Sequence, residues 1–263
     1  MAARSVRIEE RRRRADENVV AAFAMTQEHL ADPRGGRARF GAVDVVAVGV
    51  DVAFFNPVLA LDPATTSTDV RAAIAWVESK GLPVSVQVRE DVGPEVGAAV
   101  EELGMVADSW RTPVMVLDPI PSGSGGFPSP LPEVAIRSGG LELLEDWHTA
   151  IESGETFRTL FGASIAGDPG VRLAVGYLDA EPVSGAAAIR SGSTLGIYAV
   201  GTRARARRLG IGRAATWAAI ESGRAAWASK IAILQSSEMG LPVYTSMGFE
   251  IVSHYVEFDR PTT

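Results

Sequence analysis

The stretch RARARRLGIG, residues 203–212, places two glycines after a run of arginines and directly before a long predicted helix. The first turn of a helix has backbone N–H groups without helical partners and the positive end of the macrodipole, so anions bind there. Gly210 and Gly212 would let a phosphate approach the backbone closely, and the arginines around them would attract it. The stretch therefore predicts a phosphate-binding loop.

Nucleic-acid binding is the competing interpretation of the same arginines. The chain has a formal net charge of −7, whereas non-specific affinity for nucleic acid comes mainly from basic side chains that neutralise phosphates. No aromatic residue is interleaved with the arginines, so base stacking is not supplied either. A P-loop would need Lys and Ser or Thr after Gly212, where the chain has Arg213 and Ala214. We therefore expect a phosphorylated small molecule and no nucleic acid.

The elements that must position this loop follow from hydrophobic periodicity and from the placement of proline and glycine. In the first half we predict helices at 5–31, 69–81 and 94–104, and strands at 42–55, 57–62, 83–89 and 110–118. In the second half we predict helices at 141–153, 156–165, 212–229 and 241–248, and strands at 133–139, 171–179, 181–192, 193–200, 230–236 and 255–260. Alternating helices and strands indicate the α/β class.

A segment rich in proline, glycine and serine, PIPSGSGGFPSPLP, separates two halves of similar length. We interpret residues 1–118 as an N-terminal domain, 119–131 as a linker and 132–263 as a C-terminal domain. The two halves echo each other, because each ends in the order helix, strand, helix, glycine and strand. This order indicates a duplication, and two unrelated α/β halves are the alternative.

Composition excludes several classes of site. The chain of 263 residues contains no cysteine, which excludes disulfides, thiolate metal sites and a cysteine nucleophile. Its three histidines are far apart in sequence, so we expect no metal site. We find no targeting segment and no apolar run long enough to span a membrane, and we expect a cytoplasmic protein.

Residues 237–249, SEMGLPVYTSMGF, add a second motif after the predicted helix and strand. The two motifs together resemble the acyl-CoA site of the GNAT-superfamily acetyltransferases. The family's loop pattern, [QR]-x-x-G-x-[GA], is met by Arg207, Gly210 and Gly212. Its second pattern, N-x-x-A-x-x-x-Y-x-x-x-G-F, is met from Tyr244 onward. The resemblance implies two GNAT-like domains in tandem, each a mixed, mostly antiparallel central sheet flanked by helices.

The resemblance also implies acetyl-CoA as the acyl donor and assigns residues to it. The backbone of Tyr198, Ala199 and Val200 would pair with the pantetheine arm where two strands splay apart. The pyrophosphate would be held by main-chain N–H groups of Arg207, Arg208, Leu209, Gly210, Ile211, Gly212 and Arg213. Ser237, which stands where the family has asparagine, would contribute a shorter hydrogen-bonding group, and Gly240 replaces the usual alanine.

Tyr244 would be the general acid that protonates the departing thiolate. A phenol with a pKa near 10 in water is a reasonable proton donor to a thiolate, which is the physical argument for this role. A packed aromatic residue without a chemical role is the alternative for Tyr244.

The first half resembles the same fold in degenerate form. Between its predicted strand and helix it has PATTST, with neither a glycine pair nor an arginine, and no tyrosine matches Tyr244. We therefore predict that this half binds no CoA and completes the acceptor pocket.

The expected activity is transfer of an acetyl group to a primary amine by direct attack in a ternary complex, since the chain has no cysteine to form an acyl-enzyme. The acceptor would be a small-molecule amine or a peptide, with no membrane partner, and the protein would be a monomer or a homodimer. A non-catalytic CoA-binding sensor is the alternative. The general base is not identified: Glu152, Glu155 and His148 are candidates for which a solvated helix residue is the favoured interpretation, and Glu238 is a further candidate. Phe157 and Phe161 would line an acceptor pocket or pack in the core.

Overall fold

A computed structural model describes residues 2–121 and 133–261 of the chain. Almost all of the predicted linker, 119–131, lies outside the described residues. The first half contains α1 (Ala2–Leu30), β1 (Gly36–Phe40), β2 (Val43–Ala47), β3 (Pro57–Ala60), α2 (Ser67–Glu78), β4 (Ser85–Arg89), α3 (Pro94–Glu101) and β5 (Val106–Leu117). Within the described part of the chain, no helix is long and apolar enough to cross a membrane.

The second half alternates helices and strands in the same way. Its elements are β6 (Val134–Gly139), α4 (Leu144–Ala150), α5 (Glu155–Leu160), α6 (Ala163–Ala166), β7 (Val171–Leu178), β8 (Glu181–Ser191), β9 (Thr194–Thr202), α7 (Ile211–Trp227), β10 (Ile231–Gln235), α8 (Leu241–Ser246) and β11 (Glu250–Asp259). The helices and strands alternate as the sequence predicts, and the α/β class is confirmed.

The chain forms two compact units, each with its own core. The first unit comprises residues 1–114, 236–238 and 251–263, and the second comprises 115–235 and 239–250. The strand order is β1-β2-β3-β4-β11-β5 in the first unit and β10-β9-β8-β7-β6 in the second. Among the strand pairs whose register is described, β3–β4 and β9–β10 are parallel and the others are antiparallel.

These units differ from the domain bounds predicted from sequence, because each takes in a segment of the other half of the chain. Strand β11 pairs antiparallel with β4, with Tyr255 opposite Arg89 and Phe258 opposite Val86, and so belongs to the first unit. The end of β5, from Met115 onward, belongs to the second unit. The bounds 1–118 and 132–263 stay a prediction about sequence organisation.

Each unit contains one strand–helix–strand segment in which the two strands are parallel neighbours: β3-α2-β4 in the first and β9-α7-β10 in the second. Small and β-branched side chains of each segment are buried in the core of its own unit. Those of α2 include Val70, Ala73 and Ile74, and α7 buries Ala219 and Ile220. The segments are thus the same supersecondary unit, built twice.

Candidate acyl-CoA site

The N-terminus of α7 is built on a glycine in a conformation that other residues adopt at a cost. Gly210 is the N-cap and lies in the left-handed region, with φ 77° and ψ −1°. Its carbonyl accepts the first helical hydrogen bond, from the Ala214 N–H, at 3.0 Å. Among the described residues, no side chain caps this helix. The N–H groups of the first turn are therefore directed out along the helix axis and donate to no side-chain cap in the part of the chain that the structure describes.

Gly212 is required for a different reason. A Cβ atom built on Gly212 would lie 2.7 Å from Oγ1 of Thr202, closer than real side chains approach. The Thr202 hydroxyl is itself held by the buried Ser184 hydroxyl at 2.8 Å. The sequence motif explains Gly212 by access to a phosphate, whereas the structure shows that close packing of α7 against the end of β9 already requires a glycine there.

The first two arginines of the stretch are engaged with carboxylates. Arg203 lies 3.7 Å from the carboxylate of Glu152, and Arg205 forms an ion pair with Glu181. Their charge is thus partly neutralised within the second unit. This arrangement does not favour the alternative of a basic stripe for nucleic acid, which would need these side chains to face a phosphate backbone.

The later arginines lie nearer the helix N-terminus. Arg207 and Arg208 are exposed, and the Arg207 Nε–H donates to the carbonyl of Thr202 at 3.1 Å. Arg208 has a positive φ of 63°, an uncommon conformation for a side chain of its size. Leu209 and Arg213 are half-buried. The backbone therefore has a positive φ twice in succession before α7, at Arg208 and at Gly210.

Strands β9 and β10 separate where the predicted pantetheine site begins. Their parallel register ends with Ile197 opposite Leu234, although β9 continues beyond this point. A bulge against β8 follows, and Ala199 has a positive φ of 48°. A bulge turns a strand and leaves its backbone groups out of the regular ladder. The backbone of Tyr198, Ala199 and Val200 therefore lies at the opening between two strands.

Tyr244 is buried in α8, with 8% of its surface exposed. Its ring packs edge-to-face on Phe249 at a centroid distance of 6.0 Å. Burial raises the pKa of Tyr244 to about 12, and the Thr216 side chain partly offsets this effect. The residue is a neutral phenol near neutral pH.

The candidates for a general base are engaged in other ways. His148 is 2% exposed; its Nδ1 lies 2.9 Å from the Ser153 hydroxyl and its Nε2 lies 3.1 Å from the Phe161 carbonyl. A carbonyl only accepts, so Nε2 carries the proton and Nδ1 accepts from Ser153. Burial lowers the pKa of His148. This histidine is a neutral structural group that ties α4 to the segment after α5.

The remaining candidates are divided between the two units. Glu155 is exposed, and Phe157 stacks on Phe161 at a centroid distance of 6.2 Å within an aromatic cluster that buries Phe161. Ser237 and Glu238 are exposed and belong to the first unit. Residues 198–200, residues 207–213 and Tyr244 thus belong to the second unit, and the role of Ser237 stays a prediction.

The equivalent helix start in the first unit is closed by side chains. The Thr66 Oγ1 accepts from the Asp69 N–H at 3.2 Å, and an Asp69 carboxylate oxygen accepts from the Thr66 N–H at 3.3 Å. This capping box satisfies the N–H groups of Thr66 and Asp69 and places a carboxylate beside the start of α2.

A cavity of about 820 Å³ opens in the same unit. Its charged lining consists of Glu9, Glu10, Arg13, Asp16, Glu17, Arg39, Asp44, Asp62 and Arg89. Carboxylates outnumber guanidinium groups by six to three on these walls. The field of the cavity therefore opposes a polyanion.

Comparison with known proteins agrees with the geometry. Residues 137–235 match the model of the acetyltransferase (GNAT) domain family. A GCN5-related N-acetyltransferase from Kribbella flavida superposes with a TM-score of 0.70 at 20% identity, over 93% of this chain and 96% of that one. A tandem GNAT protein from the clavulanic acid biosynthesis pathway gives 0.60 at 13% identity, over 88% and 85%. No curated protein matches the chain by sequence. Residues 137–235 therefore match a GNAT acetyltransferase domain, and the chain has the fold of the tandem GNAT protein on which it superposes.

Proposed function

We propose that this protein transfers an acyl group, and specifically acetyl, from acetyl-CoA to a primary amine. The observation that carries the proposal is the start of α7, which has a left-handed glycine cap and lies beside the point where β9 and β10 separate. An uncapped helix N-terminus next to open strand backbone suits a ligand that is anionic at one end and amide-like along its length.

The residues present fit such a ligand. The main chain from Arg207 to Arg213 would hold the pyrophosphate, with the exposed Arg207 and Arg208 adding attraction. The backbone of 198–200 would form hydrogen bonds with the pantetheine amides. When bound, acetyl-CoA supplies an activated thioester, and the chain itself supplies a proton.

Tyr244 would be the source of that proton. It holds the proton at a buried phenol oxygen and would donate it to the thiolate that an attacking amine displaces. Burial keeps water from competing for this proton. Since the sequence has no cysteine, the amine would attack directly.

One site per chain follows from the contrast between the two helix starts. At the start of α2, the N–H groups of Thr66 and Asp69 are each hydrogen-bonded to the other residue's side chain. The charged lining of the cavity in the same unit consists mainly of carboxylates. We therefore propose that the first unit does not bind CoA.

A non-catalytic CoA sensor is the second candidate. It is favoured by the state of His148, whose two ring nitrogens are both engaged and which is therefore not a free base. Turnover with any amine would exclude it.

Calorimetry with acetyl-CoA tests the proposed site. We expect wild-type protein to bind one acetyl-CoA per chain and Gly210→Glu to lose binding, because the variant puts a carboxylate and a strained left-handed backbone at the anion position. Gly192→Glu is the matched control. Gly192 also has a positive φ, 55°, and no atom lies within 4 Å of a Cβ built there. The Gly192→Glu variant therefore introduces the same charge and the same backbone strain in an open turn.

Three outcomes separate the alternatives. Loss of binding in Gly210→Glu but not in Gly192→Glu supports the loop, and an amine screen then distinguishes an enzyme from a sensor. Two acetyl-CoA molecules per chain would overturn the assignment of a single site. Equal loss in both variants would attribute the effect to charge or strain alone.

A further inference from the structure

Two hydroxyl groups lie beside the loop that would hold the pyrophosphate. Ser184 of β8 is fully buried, and in the register of the sheet it is opposite Thr202, the last residue of β9. The Ser184 hydroxyl donates to the carbonyl of Gly201 at 2.9 Å and lies 2.8 Å from the Thr202 hydroxyl. The two hydroxyl groups therefore form one hydrogen-bonded pair at the end of the strand that leads into the loop.

The direction of these hydrogen bonds follows from the number of protons. The Ser184 hydroxyl has one proton, and this proton is used on the Gly201 carbonyl, which only accepts. Thr202 must therefore be the donor to Ser184. Neither hydroxyl can rotate without breaking a hydrogen bond, so the Thr202 side chain is held in one orientation.

Thr202 contacts the loop at both of its ends. At one end its carbonyl accepts a hydrogen bond from Nε of Arg207 at 3.1 Å. At the other end, a Cβ atom built on Gly212 would lie 2.7 Å from Oγ1 of Thr202 and 3.7 Å from Oγ of Ser184. The first turn of α7 thus packs directly on the hydroxyl pair, and a change in the pair would displace the N–H groups with which this helix begins.

We propose that Thr202 and Ser184 are positioning residues for the acyl donor: the hydroxyl pair fixes the first turn of α7 where its N–H groups would meet the pyrophosphate. The inference rests on the proposed function. It adds two residues of the sheet to a pyrophosphate site whose predicted contacts come from residues 207–213 alone. A merely structural role is the alternative, because buried hydroxyl groups are hydrogen-bonded whether or not a ligand lies nearby.

Two substitutions at Thr202 remove or keep the hydroxyl. Thr202→Val puts a methyl group against Gly212 and leaves Ser184 without its donor, whereas Thr202→Ser keeps the hydroxyl. We expect Thr202→Val to raise the Kd for acetyl-CoA in calorimetry by about tenfold, because the start of the helix is displaced. We expect Thr202→Ser to bind acetyl-CoA nearly as tightly as wild type.

A second probe, S-acetylpantetheine, separates positioning of the loop from a general loss of structure. It has the thioester and the pantetheine arm of acetyl-CoA but no pyrophosphate. Its Kd, measured by ligand-detected NMR because binding is expected to be weak, should therefore be the same for Thr202→Val and wild type. A general loss of structure would raise the Kd for both probes by the same factor.

Thr194 provides a matched control at the other end of β9. It is also buried, and its hydroxyl donates to the carbonyl of Ser191 at 2.8 Å. Thr194→Val should lower the melting temperature and leave the Kd for acetyl-CoA unchanged. A Kd for acetyl-CoA in Thr202→Val equal to wild type, or an equal increase for both probes, overturns the inference. Failure of wild type to bind acetyl-CoA would instead overturn the proposed function, and the inference with it.

Discussion

Tyr244 shows how its surroundings set the chemistry of one side chain. The phenol is buried between α7 and the ring of Phe249, and burial raises its pKa to about 12. The hydroxyl therefore keeps its proton across the neutral and mildly alkaline range, where an amine can be deprotonated and attack. The proposed reaction requires a neutral amine as the nucleophile and a protonated acid for the departing thiolate. Tyr244 stays protonated in the pH range where the amine becomes neutral, so both requirements are met together.

The residue-scale prediction is that Tyr244→Phe lowers kcat by about 10²- to 10⁴-fold, the usual contribution of a positioned acid or base. The Kd for acetyl-CoA should be unchanged, because the predicted phosphate contacts are made by the loop before α7. Steady-state kinetics with an amine found in the screen, together with calorimetry, measure both quantities.

Tyr177→Phe is the control at the same scale. Tyr177 is also buried, and its hydroxyl donates to an Asp146 carboxylate oxygen at 2.6 Å. Its loss should lower the melting temperature and leave kcat close to wild type. Comparable kcat for Tyr244→Phe and wild type would show that the thiolate leaves without this acid.

At the scale of elements, α1 is held to its sheet by a buried charged cluster. The Asp16 carboxylate lies 2.6 Å from Nη1 of Arg89 in β4 and accepts from the Tyr255 hydroxyl of β11. Burial raises the pKa of Asp16 to about 6 from its ordinary value of 3.8, and the contacts with Tyr255 and Arg89 offset only part of this increase.

The sign of the resulting pH dependence follows from linkage. Because the folded-state pKa is the higher one, the folded protein binds this proton more tightly than the unfolded chain does. The protonated Asp16 therefore stabilises the folded protein in full below about pH 4, and this stabilisation is lost as pH rises through about 6. A difference of about two pKa units corresponds to about 3 kcal/mol.

We therefore predict that the free energy of unfolding of wild type, relative to Asp16→Asn, falls by up to about 3 kcal/mol between pH 4 and 7. Urea unfolding at several pH values measures it, and taking the difference removes the groups that titrate equally in both proteins. If the difference in free energy of unfolding between wild type and Asp16→Asn did not change with pH, the folded protein would not hold the Asp16 proton more tightly than the unfolded chain does.

The sequence predicted these elements unevenly, for physical reasons. Helices α2 and α7 and strands β7 and β8 have clear periodicity, and the glycine loop is a local motif. Strand β1 was missed because GRARF is half polar and only partly buried. The predicted strand 42–55 ends at Ala47, since Gly49 turns the chain with a φ of 104°.

Long-range features lie beyond local patterns. The helix predicted at 156–165 is divided into α5 and α6, with Gly162 as the N-cap of α6. The pairing of β11 with β4 likewise depends on which strand edge is available in the folded unit.

At the scale of the whole molecule, each compact unit depends on residues from the other half of the chain. Tyr255 and Phe258 of β11 are buried in the first unit, and Phe258 belongs to its core. Met115 and Leu117 at the end of β5 belong to the core of the second unit. Neither half of the sequence alone contains a complete core.

We therefore predict that residues 132–263, produced alone, do not form a stable domain. The fragment would expose Tyr255 and Phe258, whose burial is worth about 1.5–3 kcal/mol for each large side chain, and would leave β11 without its partner β4. It would also lack Met115 and Leu117 in its core. Aggregation, or unfolding without a cooperative transition, is the expected result in circular dichroism and light scattering.

Co-expression of residues 1–118 with 119–263 is the decisive control, because it retains every segment of both units and breaks only one peptide bond. We expect the two pieces to co-purify and to bind acetyl-CoA with the affinity of the intact chain. If residues 132–263 alone were folded and bound acetyl-CoA equally well, the exchanged segments would not be needed for the site. If the co-expressed halves failed as the single fragment does, covalent continuity would be the requirement instead of the missing strands.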